Sequence, residues 1–175
     1  MTYARLDERG LQWPCPSEDD PGTPILHAAS FATGARAPLQ AVDYRGTSEA
    51  VSPEYPFALI TGRSLYQFNA GTMTGRTPNN ELRPSDVLDI ASVDAARLGL
   101  RDGQRVRVRS RYGTAALPAC ISATVSPGQL FATFQTPVGL LNALTGPNRD
   151  SRVGTPEYKV TAVQVEALDD RTAAT

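Results

Sequence analysis

The chain is 175 residues long, 41% hydrophobic and 20% charged, with a net charge of −1. That is enough for one domain with a substantial core, and too apolar for a disordered chain. No apolar run approaches the ~18–20 residues of a membrane-spanning helix, so no membrane association is expected.

Residues 1–54 open without the apolar stretch of a secretory signal. They run into WPCPSEDDPGTP, whose prolines and glycines suit neither a long helix nor a central strand. The segment reads as an extended arm with Trp13 and Leu26 as anchors, and APLQAVDY within it reads as one strand. So long an irregular lead-in suggests packing against further protein.

From residue 55 the pattern sharpens, and residues 55–168 read as a barrel domain. FALIT and VLDIA are short apolar strands. SVDAARLGL is a short helix with Ser92 as its cap, Asp94 in its first turn and Gly99 at its end. RVRVRS is a strand with Val106 and Val108 inward and its arginines outward. AALPACISA and LFATF are further strands, PVGLLNALTG a helical turn, and YKVTAVQVEA a last strand with Val163, Val165 and Ala167 on one face. Residues 169–175 read as a disordered tail. Short strands, close turns and few helices predict a mainly β fold, a closed six- or seven-stranded barrel.

Charge is uneven along this order. Residues 1–60 carry four arginines against eight acids, a balance of −4, and residues 112–175 a balance of −1. Residues 61–111 carry nine arginines against five acids, +4, and contain the segment TGRSLYQFNAGTMTGRTPNN. A polar, glycine-punctuated, aromatic loop after a buried strand is more than chain reversal requires. Arg63 there offers a planar fork for phosphate, Asn69 both a donor and an acceptor, and Gly62 a backbone that a ligand can approach. The plainer readings are a surface charge for Arg63 and core packing for Tyr66 and Phe68.

The inventory of missing chemistry is as informative. Cys15 and Cys120 are far apart, His27 is the only histidine, and no zinc, iron–sulfur, P-loop, dinucleotide-fold or serine-hydrolase motif is present. The two thiols read as structural in a reducing compartment, so the expected location is cytoplasmic. One lysine and sparse aromatic–basic pairing do not suit nucleic acid. Neither catalytic nor metal-binding residues are assigned.

The ordered blocks GLQWPCP, YPFALITGRSLYQFNAGTMTGRTPN, DAARLGLRDGQRVRVRSRYGTA, SPGQLFATF, LLNALT and TPEYKVTAVQVE carry a resemblance. Over residues 10–168 the chain resembles the C-terminal cofactor-binding domain of molybdopterin-dependent oxidoreductases. The branch it is similar to holds formate dehydrogenase alpha subunits and the periplasmic and assimilatory nitrate reductases. The resemblance implies a double-psi β-barrel that binds molybdopterin guanine dinucleotide, with molybdenum or tungsten, in a complete formate-oxidising enzyme. It implies that Thr61, Gly62, Arg63, Ser64, Leu65, Tyr66, Gln67, Phe68, Asn69 and Ala70 line that cofactor, with Phe134, Asn142 and Lys159 from later blocks. The partners implied are the remaining domains of the alpha subunit, which carry the metal ligand and the catalytic residues. The isolated domain is expected to hold no cofactor tightly. The rival reading is a stand-alone double-psi barrel serving as a protein-interaction module. A self-processing barrel decarboxylase is excluded, since its maturation needs a Gly-Ser bond that the sequence lacks.

Overall fold

In the computed structural model, residues 2–136 and 141–168 are described, and the chain divides into two units, Met1–Arg45 and Gly46–Thr175. The tail expected at 169–175 lies outside the described residues, as does the start of PVGLLNALTG.

The first unit contains one helix that the sequence reading missed, α1 (Tyr3–Glu8). From it Arg5 reaches the carbonyls of Glu18 and Asp20, the latter at 2.5 Å, and the Cys15 sulfur at 3.6 Å. The Thr23 N–H and hydroxyl donate to the carbonyls of Gln12 (2.9 Å) and Pro14 (2.6 Å). Proline-rich chain is thus held by side chains reaching backbone carbonyls, with no ladder. Trp13 and Leu26, expected as anchors, are exposed. APLQAVDY is not a strand, which corrects the sequence reading. No second strand pairs with it, and Leu39, Val42 and Tyr44 are all exposed. An unpaired extended segment has no ladder to join.

The second unit is a closed barrel of β1 (Phe57–Gly62), β2 (Leu88–Ile90), β3 (Arg105–Arg109), β4 (Thr114–Ile121), β5 (Gln129–Thr133) and β6 (Val160–Ala167), in the order β1-β5-β2-β4-β3-β6. Two parallel pairs, β1–β5 and β2–β4, interlock through antiparallel neighbours, as expected of a double-psi barrel. Closure leaves no free sheet edge.

Alternation fixes which way each strand faces. In β3, Val106 and Val108 are buried, and Arg105 and Arg107 point outward. In β6, Val163 and Val165 enter the core while Ala167, at the strand end, is exposed. Phe57, Leu59, Leu88, Ile90 and Leu130 complete the centre. Pro118 sits mid-strand in β4, where the partner changes from β3 (residues 114–118) to β2 (residues 119–121). A residue without an N–H is tolerated at such a hand-over.

Helix α3 (Ser92–Leu98), between β2 and β3, ends at Gly99 as expected, with φ +65°. Its cap is Ala91, not Ser92, whose side chain makes no capping bond. Asp94 does the polar work there, accepting from the Gly128 N–H at 2.7 Å and from Arg97 at 2.9 Å. The remaining short elements, a 3-10 turn at Thr74–Arg76 and helix α2 (Asn79–Leu82), belong to the long β1–β2 connection. A second 3-10 turn, Leu141–Leu144, occupies the LLNALT block.

Candidate functional site

The loop leaving β1 is ordered by its own side chains. Gln67, 7% exposed, donates to Asn80 Oδ1 (2.9 Å) and to the Arg83 carbonyl (3.4 Å), and its Oε1 accepts from the Thr74 hydroxyl. The Phe68 N–H donates to the same hydroxyl at 3.1 Å, and Asn79 Nδ2 to the Tyr66 carbonyl at 3.0 Å. The turn after Phe68 needs left-handed backbone at Asn69 (φ +51°) and Gly71 (φ +68°). Gly71 is doubly constrained, since a Cβ there would lie 2.5 Å from the Gln135 carbonyl oxygen.

Gly62 has a packing reason in the fold. A Cβ at that position would lie 2.6 Å from Phe131 Cε2. The missing side chain therefore accommodates a neighbouring strand's ring.

Arg63, Asn69 and Ala70 from this loop, Phe134 beyond β5 and Asn142 on the second 3-10 turn line one cleft of about 480 Å³. Thr145, Pro156 and Tyr158 complete it. Those three were missed, although all of them stand inside the quoted blocks LLNALT and TPEYKVTAVQVE. Lys159 is not itself a lining residue; its Nζ stands beside two that are, 5.0 Å from the Tyr158 ring centre and 5.5 Å from that of Phe134. The Thr61 hydroxyl donates to the Tyr158 carbonyl (2.7 Å) and the Thr61 N–H to the Lys159 carbonyl (3.1 Å), which fixes this segment beside β1. Thr61 thus supports the wall and does not face the cleft.

The other expected residues lie elsewhere. Ser64, Leu65, Tyr66 and Phe68 do not line either cleft. Phe68 acts through Arg63, whose guanidinium lies 5.5 Å from its ring centre. Gln67 and Ala70 line a second cleft of about 410 Å³, with Arg76, Gln135 and Thr136 among its walls. Ala70 borders both.

Two cations, Arg63 in the first cleft and Lys159 beside its aromatic wall, have no carboxylate partner among the described residues: each meets only aromatic rings. Carboxamides of Asn69 and Asn142 and the Phe134 and Tyr158 rings share that wall. This chemistry suits an anionic ligand that also carries flat, hydrogen-bonding rings. No cluster of His, Cys, Asp or Glu among the described residues could hold a metal ion, and no described helix is long and apolar enough to cross a membrane.

Comparison with known proteins agrees with this chemistry. Residues 57–162 match the family model of the molydopterin dinucleotide binding domain. The chain is 37% identical over 171 residues to the F420-dependent formate dehydrogenase 1 subunit alpha of Methanococcus maripaludis, covering 96% of this chain and 25% of that protein. It is 33% identical over 179 residues to formate dehydrogenase H of Escherichia coli, covering 99% and 25%. Against the periplasmic nitrate reductase of Desulfovibrio desulfuricans the identity is 34% over 183 residues, covering 94% and 24%. The chain thus spans about a quarter of the length of these relatives. Among solved structures, acetylene hydratase from Pelobacter acetylenicus superposes with a TM-score of 0.53 at 17% identity, over 66% of this chain and 18% of that one, a likeness of fold alone. The family match covers more than half of the chain and most of the barrel, and it leads to one conclusion: the chain belongs to the molydopterin dinucleotide binding domain family.

Proposed function

We propose that this domain holds molybdopterin guanine dinucleotide, and so positions its molybdenum or tungsten, in a formate-dehydrogenase-like oxidoreductase of the cytoplasm. The observation that carries the reading is Arg63 on an aromatic and amide-lined cleft with Lys159 beside its aromatic wall, neither paired with a carboxylate among the described residues. At about 480 Å³ the cleft is in the usual range for a small-molecule site. It suits part of a large dinucleotide, the rest being contacted by the other domains of the alpha subunit. When bound, the cofactor supplies two-electron redox chemistry at its metal. The protein's share is binding and orientation. Arg63 presents its fork to phosphate, Lys159 adds a point charge, and Asn69 and Asn142 match ring edges. Phe134 and Tyr158 offer flat faces. The metal ligand and the residues that handle the substrate's proton are assigned to the other domains. Isolated, the chain is expected to bind the dinucleotide weakly, because half a clamp must order its ligand unaided.

The test is Arg63→Ala in the complete oxidoreductase, reading metal and guanine nucleotide per protein with thermal stability as control. A charge-assisted hydrogen bond contributes roughly 1.5–3 kcal/mol. Occupancy should therefore fall on the order of tenfold at unchanged stability, with Lys159→Ala falling less where solvent screens its charge. Full cofactor content in Arg63→Ala would reduce that arginine to a surface charge and remove the reading's main support.

A further inference from the structure

Asp86 lies just before β2, at the end of the connection that begins with the site loop, and is 4% exposed. Its Oδ1 accepts from the Gln135 N–H at 3.0 Å and from the Thr133 hydroxyl. Its Oδ2 accepts from the Thr136 N–H at 2.9 Å and the Thr136 hydroxyl at 2.7 Å. Earlier in the same segment, the Arg83 carbonyl accepts from Gln135 Nε2 at 2.9 Å. All of these bonds converge on the few residues that leave β5.

Those residues form the wall between the two clefts. Phe134 lines the first and its neighbour Gln135 the second, as consecutive residues of extended chain present opposite sides. Backbone leaving a strand is ordinarily free to twist. Here the N–H groups of Gln135 and Thr136 are both spoken for by one buried carboxylate, so the direction of the Phe134 ring is fixed from behind. Lys159 in turn rests on that ring at 5.5 Å. A chain of contacts thus runs from Asp86 to the cation beside the cleft's aromatic wall, although neither Asp86 nor Lys159 is among the residues that line it.

We propose that Asp86 is a positioning residue for the ligand cleft, setting the Phe134 face and, through it, the Lys159 charge. The proposal rests on the cofactor reading above and adds a residue that never touches ligand. Asparagine cannot substitute. Whichever way its carboxamide turns, the NH₂ group meets a backbone N–H, of Gln135 or of Thr136, and a backbone donor cannot rotate away as a hydroxyl can.

The experiment uses this chain and its single lysine as an internal reporter. The Lys159 ε-methylene protons lie against the Phe134 and Tyr158 rings and carry a ring-current shift, readable by NMR without ligand. Millimolar titration with guanosine diphosphate, the probe for the nucleotide half of the cofactor, reads affinity. Asp86→Asn should move the Lys159 signal toward that of a free lysine and weaken guanosine diphosphate on the order of tenfold. Thr133→Val, which deletes one of the four bonds, should do the same to a smaller extent, and it decides the matter if Asp86→Asn does not fold. Asp94→Asn is the control: an equally buried carboxylate that holds Gly128 at the opposite end of β5. It should lose stability while leaving both readouts in place. An unmoved Lys159 signal in the folded Asp86 variant, or in Thr133→Val alone, overturns the proposal. Equal effects from Asp94→Asn overturn it too, since they reduce the role to general stability. If Asp86→Asn leaves affinity intact while Arg63→Ala weakens it, the positioning role fails and the cofactor reading stands. Absence of any guanosine diphosphate response at Arg63, Phe134 or Asn142 in the unmodified chain overturns both.

Discussion

The barrel carries two sets of basic side chains that composition cannot tell apart and that differ in what they face. On the β3 side, Arg107 meets Glu166 at 2.8 Å, Arg109 meets Glu54 at 3.5 Å and Arg111 meets Glu49 at 3.4 Å. Arg109 and Arg111 also flank the buried Tyr55 ring, at 5.4 and 4.8 Å. At the cleft, Arg63 and Lys159 meet rings and no carboxylate. A ring's face attracts a cation without neutralising it and leaves its remaining donors free. The first set is wall, its charges answered within the fold. Under the proposed reading the second set is left for a ligand, and basic residues alone do not separate the two sets.

If the cleft is a built site, then damaging its frame should cost more than damaging its charges. Gly71→Ala is the largest expected effect. The new Cβ would sit 2.5 Å from a backbone carbonyl oxygen, Gln135, at a residue with φ +68°. Backbone cannot yield as a side-chain tip can. Overpacking costs about 1–3 kcal/mol and left-handed backbone for a non-glycine about 1–2 more. A loss of roughly 2–5 kcal/mol should appear in urea unfolding, together with a displaced wall at Gln135. A loss under about 0.5 kcal/mol, the scale of an ordinary surface substitution, would show that loop and wall are not in contact and would dissolve the cleft as a defined feature.

On the other side, Glu49 is the buried member of the answered set, 4% exposed. It accepts from the Tyr112 hydroxyl (2.6 Å), Asn148 Nδ2 (3.2 Å), Arg111 (3.4 Å) and the Ala162 N–H (3.3 Å). Glu49→Gln removes the charge and turns a donor toward one of these donors, at a cost of about 1.5–3 kcal/mol. Its pH signature is distinct. The hydrogen bond to Glu49, followed by desolvation and the Glu49 charge, holds the Tyr112 phenol above its ordinary value of 10.0. A folded value above the unfolded one means that this bond's contribution is fully present below pH 10 and is lost as pH rises through the raised value. Stability should therefore fall above pH 10 in the unmodified chain, and Glu49→Gln should move the Tyr112 titration back toward the ordinary value. An unchanged titration would mean that the phenol and carboxylate are not bonded.

The sequence made some of this legible and hid the rest for physical reasons. Alternation exposed β3, because Val106 and Val108 can bury only if Arg105 and Arg107 face out. Gly99 marked the end of α3, because its φ of +65° suits little else. The strand expected at APLQAVDY failed because pairing is a property of two segments, and no local pattern reports the missing one. The cleft residues Arg63, Asn69, Phe134 and Asn142 were legible through ordered blocks, since chain order survives where distance is invisible. The packing demand on Gly62 was hidden, because its neighbour, Phe131, is far along the chain. Asp86 and Glu49 gave no signal at all. Their partners include backbone N–H groups 49, 50 and 113 positions away, and a backbone donor leaves no mark in a sequence.

The smallest expected effects sharpen the division between the two sets most directly. Arg107→Gln removes one side of an exposed ion pair with Glu166, across the β3–β6 ladder. Such pairs contribute about 0.2–1 kcal/mol, and the loss should shrink as salt shortens the screening length. The double variant Arg63→Gln/Lys159→Gln removes two charges that have nothing to lose but ring contacts. Its stability should stay within about 0.5 kcal/mol of the unmodified chain, with no salt dependence of the Arg107 kind, because no opposite charge is stranded. Thermal unfolding of both variants at low and high salt makes the comparison. A double variant that loses stability at low salt and recovers it at high salt, as Arg107→Gln should, has carboxylate partners in solution. Arg63 and Lys159 would then belong with the wall, and the cleft would lose the charge that fits it to an anion.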